Sequence, residues 1–172
     1  FLGLVGRIIL SALHTAGTVL AFQTGIANAL GNDPIAAEQS AVTATFLSTA
    51  GLLIVFVADL HHVMLRALAM SYNVLPSGSV PPVDGFSEVI TRLVGDVFVL
   101  GVQLASPFIV VGLVFYLGVG VLSRLMPQVQ IFFVAMPVQI FLGFAIFAIT
   151  AGAMLNWFGD RFPEMFETAL GG

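Results

Sequence analysis

Residues 125–159 read LMPQVQIFFVAMPVQIFLGFAIFAITAGAMLNWFG, a run of 35 residues without an acidic or basic side chain. A single straight helix of this length would measure about 52 Å, whereas the hydrocarbon core of a bilayer is about 30 Å thick. The segment must therefore tilt, kink or fold back. Pro127 and Pro137 are the expected kinks, because proline removes a backbone donor and clashes with the preceding turn. This stretch predicts membrane-type helices arranged as kinked hairpins.

The rest of the chain repeats the pattern. Residues 97–123 and 39–58 are also uncharged, and residues 1–30 are interrupted only by Arg7 and His14. About 20 apolar residues suffice to cross a bilayer as a helix. Asp59 ends the second of these runs, and a more polar helical tail is expected from there to about residue 72. The sequence therefore predicts an all-α fold.

Composition excludes an ordinary soluble domain and a nucleic-acid-binding protein. The 172 residues are 59% hydrophobic and only 8% charged, whereas soluble domains carry about 25% charged residues. The five basic residues are all arginines, and the net charge is −4, so no basic patch for nucleic acid is expected. Cysteine is absent, which removes thiolate metal sites and a cysteine nucleophile.

Two segments rich in turn-forming residues divide the chain. We expect one helical membrane domain over 1–172, with an N-terminal hairpin (1–72) that contains an inserted loop (25–39), a linker (73–85) and a C-terminal hairpin (86–172). The chain opens on phenylalanine without the features of a signal peptide, so a further region upstream is expected.

Polar and small residues interrupt the apolar runs in a regular way. One polar stripe of the first helix is formed by Arg7, Ser11, His14 and Thr18. Polar groups in such helices normally face protein or a water-filled path. Small residues at four-residue spacing, such as Ala12 and Ala16, permit close helix contact. Four spans cannot enclose a wide pore alone, so partner chains are expected.

The segment Asp59-Leu60-His61-His62 resembles a metal or acid–base site more than any other part of the chain. Adjacent side chains on a helix point about 100° apart, so His61 and His62 are not expected to hold one ion easily. The favoured interpretation is a polar exit from the apolar layer, with a metal or proton-relay site as the alternative. His14 is interpreted as a hydrogen-bonded packing group, with a proton carrier as the alternative.

Enzymatic function is not expected. The sequence contains no Gly-x-Ser-x-Gly elbow and no phosphate-binding loop. Carboxylates do not pair within any span, so general acid–base chemistry has no candidate site. No catalytic residue, cofactor or metal is therefore predicted.

Several short motifs occur in a specific order along the chain. They are Ala16-Gly17, Gln23-x-Gly25, Asp33-Pro34, His61-His62, Ser71-Tyr72, Leu75-Pro76-x-Gly78, Arg124-x-x-Pro127-Gln128, Phe132, and Pro137 with Gly143. Together they resemble the FliR family of flagellar export-gate proteins, whose injectisome relatives are called SctT. The resemblance extends over essentially the whole chain. Leu60 and Thr24 depart from it, since the family often has glycine and methionine there.

The resemblance implies a structural subunit of a type III secretion export gate. Members assemble with FliP, FliQ and other export-apparatus proteins in the bacterial inner membrane, at the flagellar basal body. Unfolded flagellar proteins pass through the gate, and the flagellar system is favoured here over the injectisome. The alternative is a secondary transporter or proton channel that uses His14, Asp59, His61 and His62, and an intramembrane enzyme is the weakest candidate.

The resemblance also assigns residues. A loop that plugs the closed channel corresponds to Gly25, Ile26, Ala27, Asn28, Ala29, Leu30, Gly31, Asn32, Asp33 and Pro34. Small residues and glycines suit a mobile element inside a pore, although an ordinary loop between two spans would have much the same composition. Roles in structure or assembly are expected for Gln23, His61, His62, Arg124, Pro127, Gln128 and Pro137.

Overall fold

A computed structural model of the chain describes residues 1–24, 34–74, 83–126 and 131–171. In these ranges all regular secondary structure is helical, which confirms the predicted all-α class. The helices are α1 (Leu2–Gln23), α2 (Pro34–Val57), α3 (Leu60–Val74), α4 (Val83–Leu125) and α5 (Ile131–Gly171).

Helices extend into both segments that were predicted as loops. The inserted loop was expected at 25–39, but α2 begins at Pro34, so residues 34–39 are helical. Proline suits a first helical position because its missing N–H has no intrahelical partner there in any case. The linker was expected at 73–85, but α3 continues to Val74 and α4 begins at Val83.

Helix α1 lies at the centre of the fold. It packs mainly against α2 and α4 and more lightly against α3 and α5. The buried side chains of Val5, Ile9, Leu13 and Leu20 follow one face of the helix, because residues three or four apart are neighbours on a helical surface. This face provides one side of the hydrophobic core.

Small residues bring α1 into backbone contact with its neighbours, as their spacing predicted. A Cβ atom added at Gly17 would overlap the backbone of Ala44 in α2. A Cβ atom at Gly101 in α4 would lie 3.2 Å from the carbonyl oxygen of Ala12. These approaches are available only where a side chain is absent or very small.

The chain bends sharply between α2 and α3. The axes of Val42–Val57 and Leu60–Tyr72 differ by 72°, and Asp59 between them has a left-handed backbone with φ of 57°. The expectation that Asp59 ends the second apolar run is therefore confirmed. Aspartate tolerates this conformation better than most residues, because its short polar side chain can bond locally.

Helices α4 and α5 are much longer than a bilayer is thick. They contain 43 and 41 residues, or about 65 and 62 Å at 1.5 Å per residue. Pro107 lies inside α4, and Pro137 and Pro163 lie inside α5. Among the described residues, Leu2–Gln23, Gly85–Leu125 and Phe133–Ala169 are long and apolar enough to cross a membrane, and the bent α2–α3 pair is a possible fourth span.

The other side of the core comes from the second half of α5. Phe158, Phe162 and Phe166 are fully buried and recur every four residues. The rings of Phe158 and Phe162 meet edge to face at 5.9 Å, and those of Phe162 and Phe166 stack at 6.1 Å. These aromatic contacts fix α5 against the rest of the bundle.

Candidate functional site

A buried polar contact joins the end of α1 to both long helices. The amide nitrogen Nε2 of Gln139 in α5 donates to the carbonyl oxygen of Gln23 at 2.8 Å and to the Tyr116 hydroxyl in α4 at 2.9 Å. Gln139 is only 9% exposed. We call Gln23, Thr24, Tyr116 and Gln139 the α1 junction.

The junction provides a hydrogen-bond donor for a carbonyl group at the C-terminus of α1. The last four carbonyl groups of any helix lack an intrahelical partner, and Gln139 provides one for the carbonyl of Gln23. The next residue, Thr24, is buried, and its hydroxyl donates to the carbonyl of Leu20 at 2.9 Å. The backbone N–H of Thr24 also donates to Leu20. The end of α1 is therefore held firmly by both side chains and backbone.

Two glycines make room for the junction. A Cβ atom at Gly112 in α4 would lie 2.5 Å from the side-chain oxygen of Gln23, and one at Gly143 in α5 would overlap the side chain of Thr24. The cavity between these elements measures about 10 Å³, close to the minimum for one water molecule. The end of α1 therefore fits tightly between α4 and α5.

The junction directly precedes the segment assigned as the plug by resemblance. Gly25–Asp33 lies outside the residues that the structure describes, and Pro34 is the first residue of α2. The assignment of the plug is thus untested, but the helix end from which the segment emerges is well defined.

The other assigned residues occupy different parts of the molecule. Gln23 belongs to the α1 junction, and Pro137 is exposed two residues before Gln139. Arg124 is exposed in the last turn of α4, where a cation interacts favourably with the helix dipole. Pro127 and Gln128 lie outside the described residues.

Sequence reasoning missed three members of the junction. Gln139 and Tyr116 were not selected as candidates, and Thr24 entered only as a departure from the family pattern. An isolated glutamine in a long apolar helix is a signal for a buried hydrogen bond, but the sequence does not identify the partner. Gly143, which appeared in the family motif, has its physical reason in the close approach of Thr24.

The polar stripe of α1 faces away from the core. Arg7, Ser11 and His14 are exposed. The Ser11 hydroxyl donates to the carbonyl of Ile8 at 2.6 Å, within its own helix. His14 forms no hydrogen bond within the part of the chain described here, so its role as a hydrogen-bonded packing group stays a prediction that requires a partner outside that part. The stripe is available to other molecules because the core is built by the opposite face.

The bend between α2 and α3 brings a second polar group together. Asp59, His61 and His62 present ligand atoms that all lie within 4.8 Å of one another. The ring centroids of His61 and His62 are 4.1 Å apart, so the expectation that their rings diverge is wrong. The bonds from Cα to Cβ diverge along a helix, but the two rings nevertheless lie side by side. We call these three residues the bend cluster.

Comparison with known proteins identifies the family of this chain. The family described as bacterial export proteins, family 1, matches residues 1–165. The chain belongs to this family. The resemblance to FliR proteins is confirmed by this match together with the relatives described next. The long apolar helices of an export-family protein indicate a membrane protein.

Several relatives of this chain carry the name flagellar biosynthetic protein FliR. The protein from Caulobacter vibrioides is 37% identical over 166 residues, which cover 96% of this chain and 66% of the relative. The protein from Pectobacterium carotovorum is 30% identical over 96% of this chain and 64% of its own length. That from Bacillus subtilis is 26% identical over 97% and 66%. The chain thus spans about two thirds of the length of these relatives.

Proposed function

We propose that this chain is a channel-forming subunit of the flagellar type III export gate. In this proposal it assembles with homologues of FliP and FliQ in the bacterial inner membrane, at the flagellar basal body, and unfolded flagellar proteins pass through the assembly. Membership of the bacterial export family and similarity to proteins named FliR support the proposal. The subunit contributes structure to the gate and no enzymatic step.

The observation that carries this proposal is the outward polar stripe of α1. Arg7 and His14 are exposed on a helix that is otherwise apolar enough to cross a membrane. Such groups are costly against lipid and normally face protein or water. A hetero-oligomer supplies both kinds of surroundings, which an isolated chain of three or four spans cannot.

The two long helices provide apolar surface for the same assembly. Many large apolar side chains of α4 and α5 have more than half of their surface exposed. They include Val110, Leu113, Leu117, Val121, Phe133, Val134, Phe141, Phe144 and Ile149. Helices in membranes associate through close packing and interhelical hydrogen bonds. We propose that FliP and FliQ homologues cover part of this surface and that lipid covers the remainder.

The proposed plug is residues 25–34, and the α1 junction is its fixed base. A segment that closes a pore must be mobile while its ends remain anchored. The hydrogen bond from Gln139 to the carbonyl of Gln23 anchors the end of α1, and α2 begins at Pro34 on the other side of the segment. The domain organisation proposed here treats 1–72 and 86–172 as hairpins of one unit, since α1 packs against both α2 and α4.

Assembly is tested by expression with and without partners. The full-length chain, produced with its FliP and FliQ homologues, is expected to purify in mild detergent as one stoichiometric complex. Produced alone, it is expected to aggregate or be degraded, because its polar and apolar outer surfaces lack partners. A functional lone monomer would contradict the proposal.

Gating is tested by measuring ion leak and protein secretion in the same strain. Deletion of Ile26–Asn32 is expected to leave the complex assembled but produce a large leak. Gln139→Leu removes two hydrogen bonds from the base, a change of about 1–3 kcal/mol. To convert a gate that is 99:1 closed into one that is 99:1 open, the free-energy difference between the two states must change by about 5.5 kcal/mol in total. The Gln139→Leu gate should therefore leak only partially.

The matched control for gating is Gln103→Leu. Gln103 is also a glutamine in a long apolar helix, but it is exposed on α4, so this variant should remain closed. An assembled gate that stays closed after the deletion would show that the plug lies elsewhere. If instead Asp59→Asn abolished transport while the deletion had no effect, the transporter alternative would be favoured.

A further inference from the structure

We propose that the bend cluster of Asp59, His61 and His62 binds a divalent transition-metal ion, with Zn²⁺ as the best match. The proposal does not depend on the export function. It rests on the convergence of the three side chains, the unpaired nitrogen of His61 and the backbone geometry of the bend.

The separation of the side chains suits coordination better than direct hydrogen bonding. Nδ1 of His62 lies 3.4 Å from Oδ1 of Asp59, beyond the usual range of about 2.7–3.2 Å for an N–H···O bond. Two ligand atoms on a tetrahedral zinc ion, at bond lengths of about 2.0–2.1 Å, lie about 3.4 Å apart. The third ligand atom, from His61, lies within 4.8 Å of both.

His61 contains a polar atom without a partner. Its Nδ1 is shielded from solvent and forms no hydrogen bond within the described ranges. Buried polar atoms are nearly always satisfied, and an exception needs an explanation. Coordination of an ion by this Nδ1 would provide the partner that it otherwise lacks.

The backbone brings the three ligands together. Asp59 adopts a left-handed conformation with φ of 57°, and the N–H of His62 donates to the carbonyl of Asp59 at 3.0 Å. This turn starts α3 and keeps the carboxylate beside both rings. The side chains of His62 and Asp59 are 66% and 76% exposed, so an ion can reach the site and keep water in a remaining position.

The donor set selects the class of ion. Imidazole nitrogen suits Zn²⁺, Cu²⁺, Ni²⁺ and Fe²⁺, whereas Mg²⁺ and Ca²⁺ prefer oxygen ligands throughout. A site with three protein ligands and an open position is typical of accessible zinc sites. A bound ion would cross-link the turn to the first residues of α3 and stabilise the 72° bend.

The test is zinc binding to the full-length chain in its complex, purified in detergent without a polyhistidine tag. After removal of metal with a chelator, Zn²⁺ is titrated in competition with a metallochromic dye. One ion per chain is expected. Asp59→Asn, His61→Gln and His62→Gln should each weaken binding by at least about 10–100-fold, the range found even for groups that only support a metal ligand.

Two controls keep the result interpretable. Asparagine tolerates the left-handed conformation as aspartate does, so Asp59→Asn removes the charged ligand without disturbing the turn, and thermal unfolding checks that it folds. His14→Gln removes an exposed histidine of α1 outside the cluster and should leave zinc affinity unchanged.

A spectroscopic measurement on the unsubstituted chain provides a second test. Co²⁺ in place of Zn²⁺ should give visible absorption bands of a low-coordinate site with nitrogen ligands, and added Zn²⁺ should remove them. The proposal is overturned if the chain binds no Zn²⁺, if the three substitutions leave the affinity unchanged, or if His14→Gln weakens it equally.

Discussion

Helices α1 and α5 are both apolar, but they differ in how much of their most apolar stretch is buried. Both are apolar enough to cross a membrane, and α5 is the more apolar of the two. Yet half of the most apolar window of α1 is buried inside the chain, compared with 11% for α5. Hydrophobicity therefore does not determine which helix of a membrane protein becomes the core.

The difference comes from side-chain size and from hydrogen bonds. Helix α1 approaches its neighbours at Gly17 and at Ala12, where backbones meet, and its end is held by Gln139. The first half of α5 instead presents Phe141, which is 79% exposed, and Ile149. Lipid tails are as apolar as these side chains, so burial within a membrane depends on close packing and polar contacts.

The largest effect is expected from two phenylalanines of α5, one buried and one exposed. Phe162 is fully buried, whereas Phe141 is exposed. Phe162→Ala should lower the free energy of unfolding by about 3–5 kcal/mol, because it leaves a cavity in the core. Phe141→Ala should change the stability of the chain little but reduce co-purification with partners. Thermal unfolding in detergent and complex yield measure the two effects, and equal destabilisation by both variants would contradict the comparison.

A smaller effect is expected from adding one methyl group to each helix. Gly17→Ala places a Cβ atom against the backbone of Ala44, and such overpacking costs about 1–3 kcal/mol. Gly152→Ala in α5 is the control, since nothing lies within 4 Å of its added Cβ. There the better helix propensity of alanine should stabilise by up to about 1 kcal/mol. Opposite shifts of the unfolding temperature are expected, and shifts of the same sign would show that the close contact at Gly17 does not matter.

The smallest effects on the isolated chain are expected at the arginines. Nη1 of Arg161 lies 2.9 Å from Oε2 of Glu164, and its Cζ lies 5.3 Å from the centre of the Trp157 ring. Because Arg161 is exposed, such a pair contributes only about 0–1 kcal/mol to stability. Arg124 is exposed at the end of α4, with no ion-pair partner in the residues described.

We therefore expect both arginine variants to fold. Arg124→Leu should lower the yield of the assembled complex more than Arg161→Leu, because Arg124 stands alone between long uncharged runs and needs a carboxylate, a carbonyl group or water. Complex yield from matched expression checks this. Equal yields would remove the assembly role of Arg124.

Local chemistry was sufficient to predict much of this protein. Long uncharged runs determine helices of membrane type, and the cost of a charge in an apolar layer ends the second run at Asp59. The four-residue spacing of Ala12 and Ala16 indicates close helix contact, which is found. Each of these properties depends on neighbours within a few turns, so the sequence expresses it directly.

The contacts between distant segments were decided only by tertiary structure. Gln139 and Gln23 are 116 positions apart, and no periodicity links them. The sequence could not show that the first half of α5 stays exposed while the less apolar α1 is buried, because burial depends on which helix surfaces fit one another. The convergence of His61 and His62 depends on rotamers at a 72° bend. Local pattern determines which segments are helical, whereas packing between helices determines which polar groups meet.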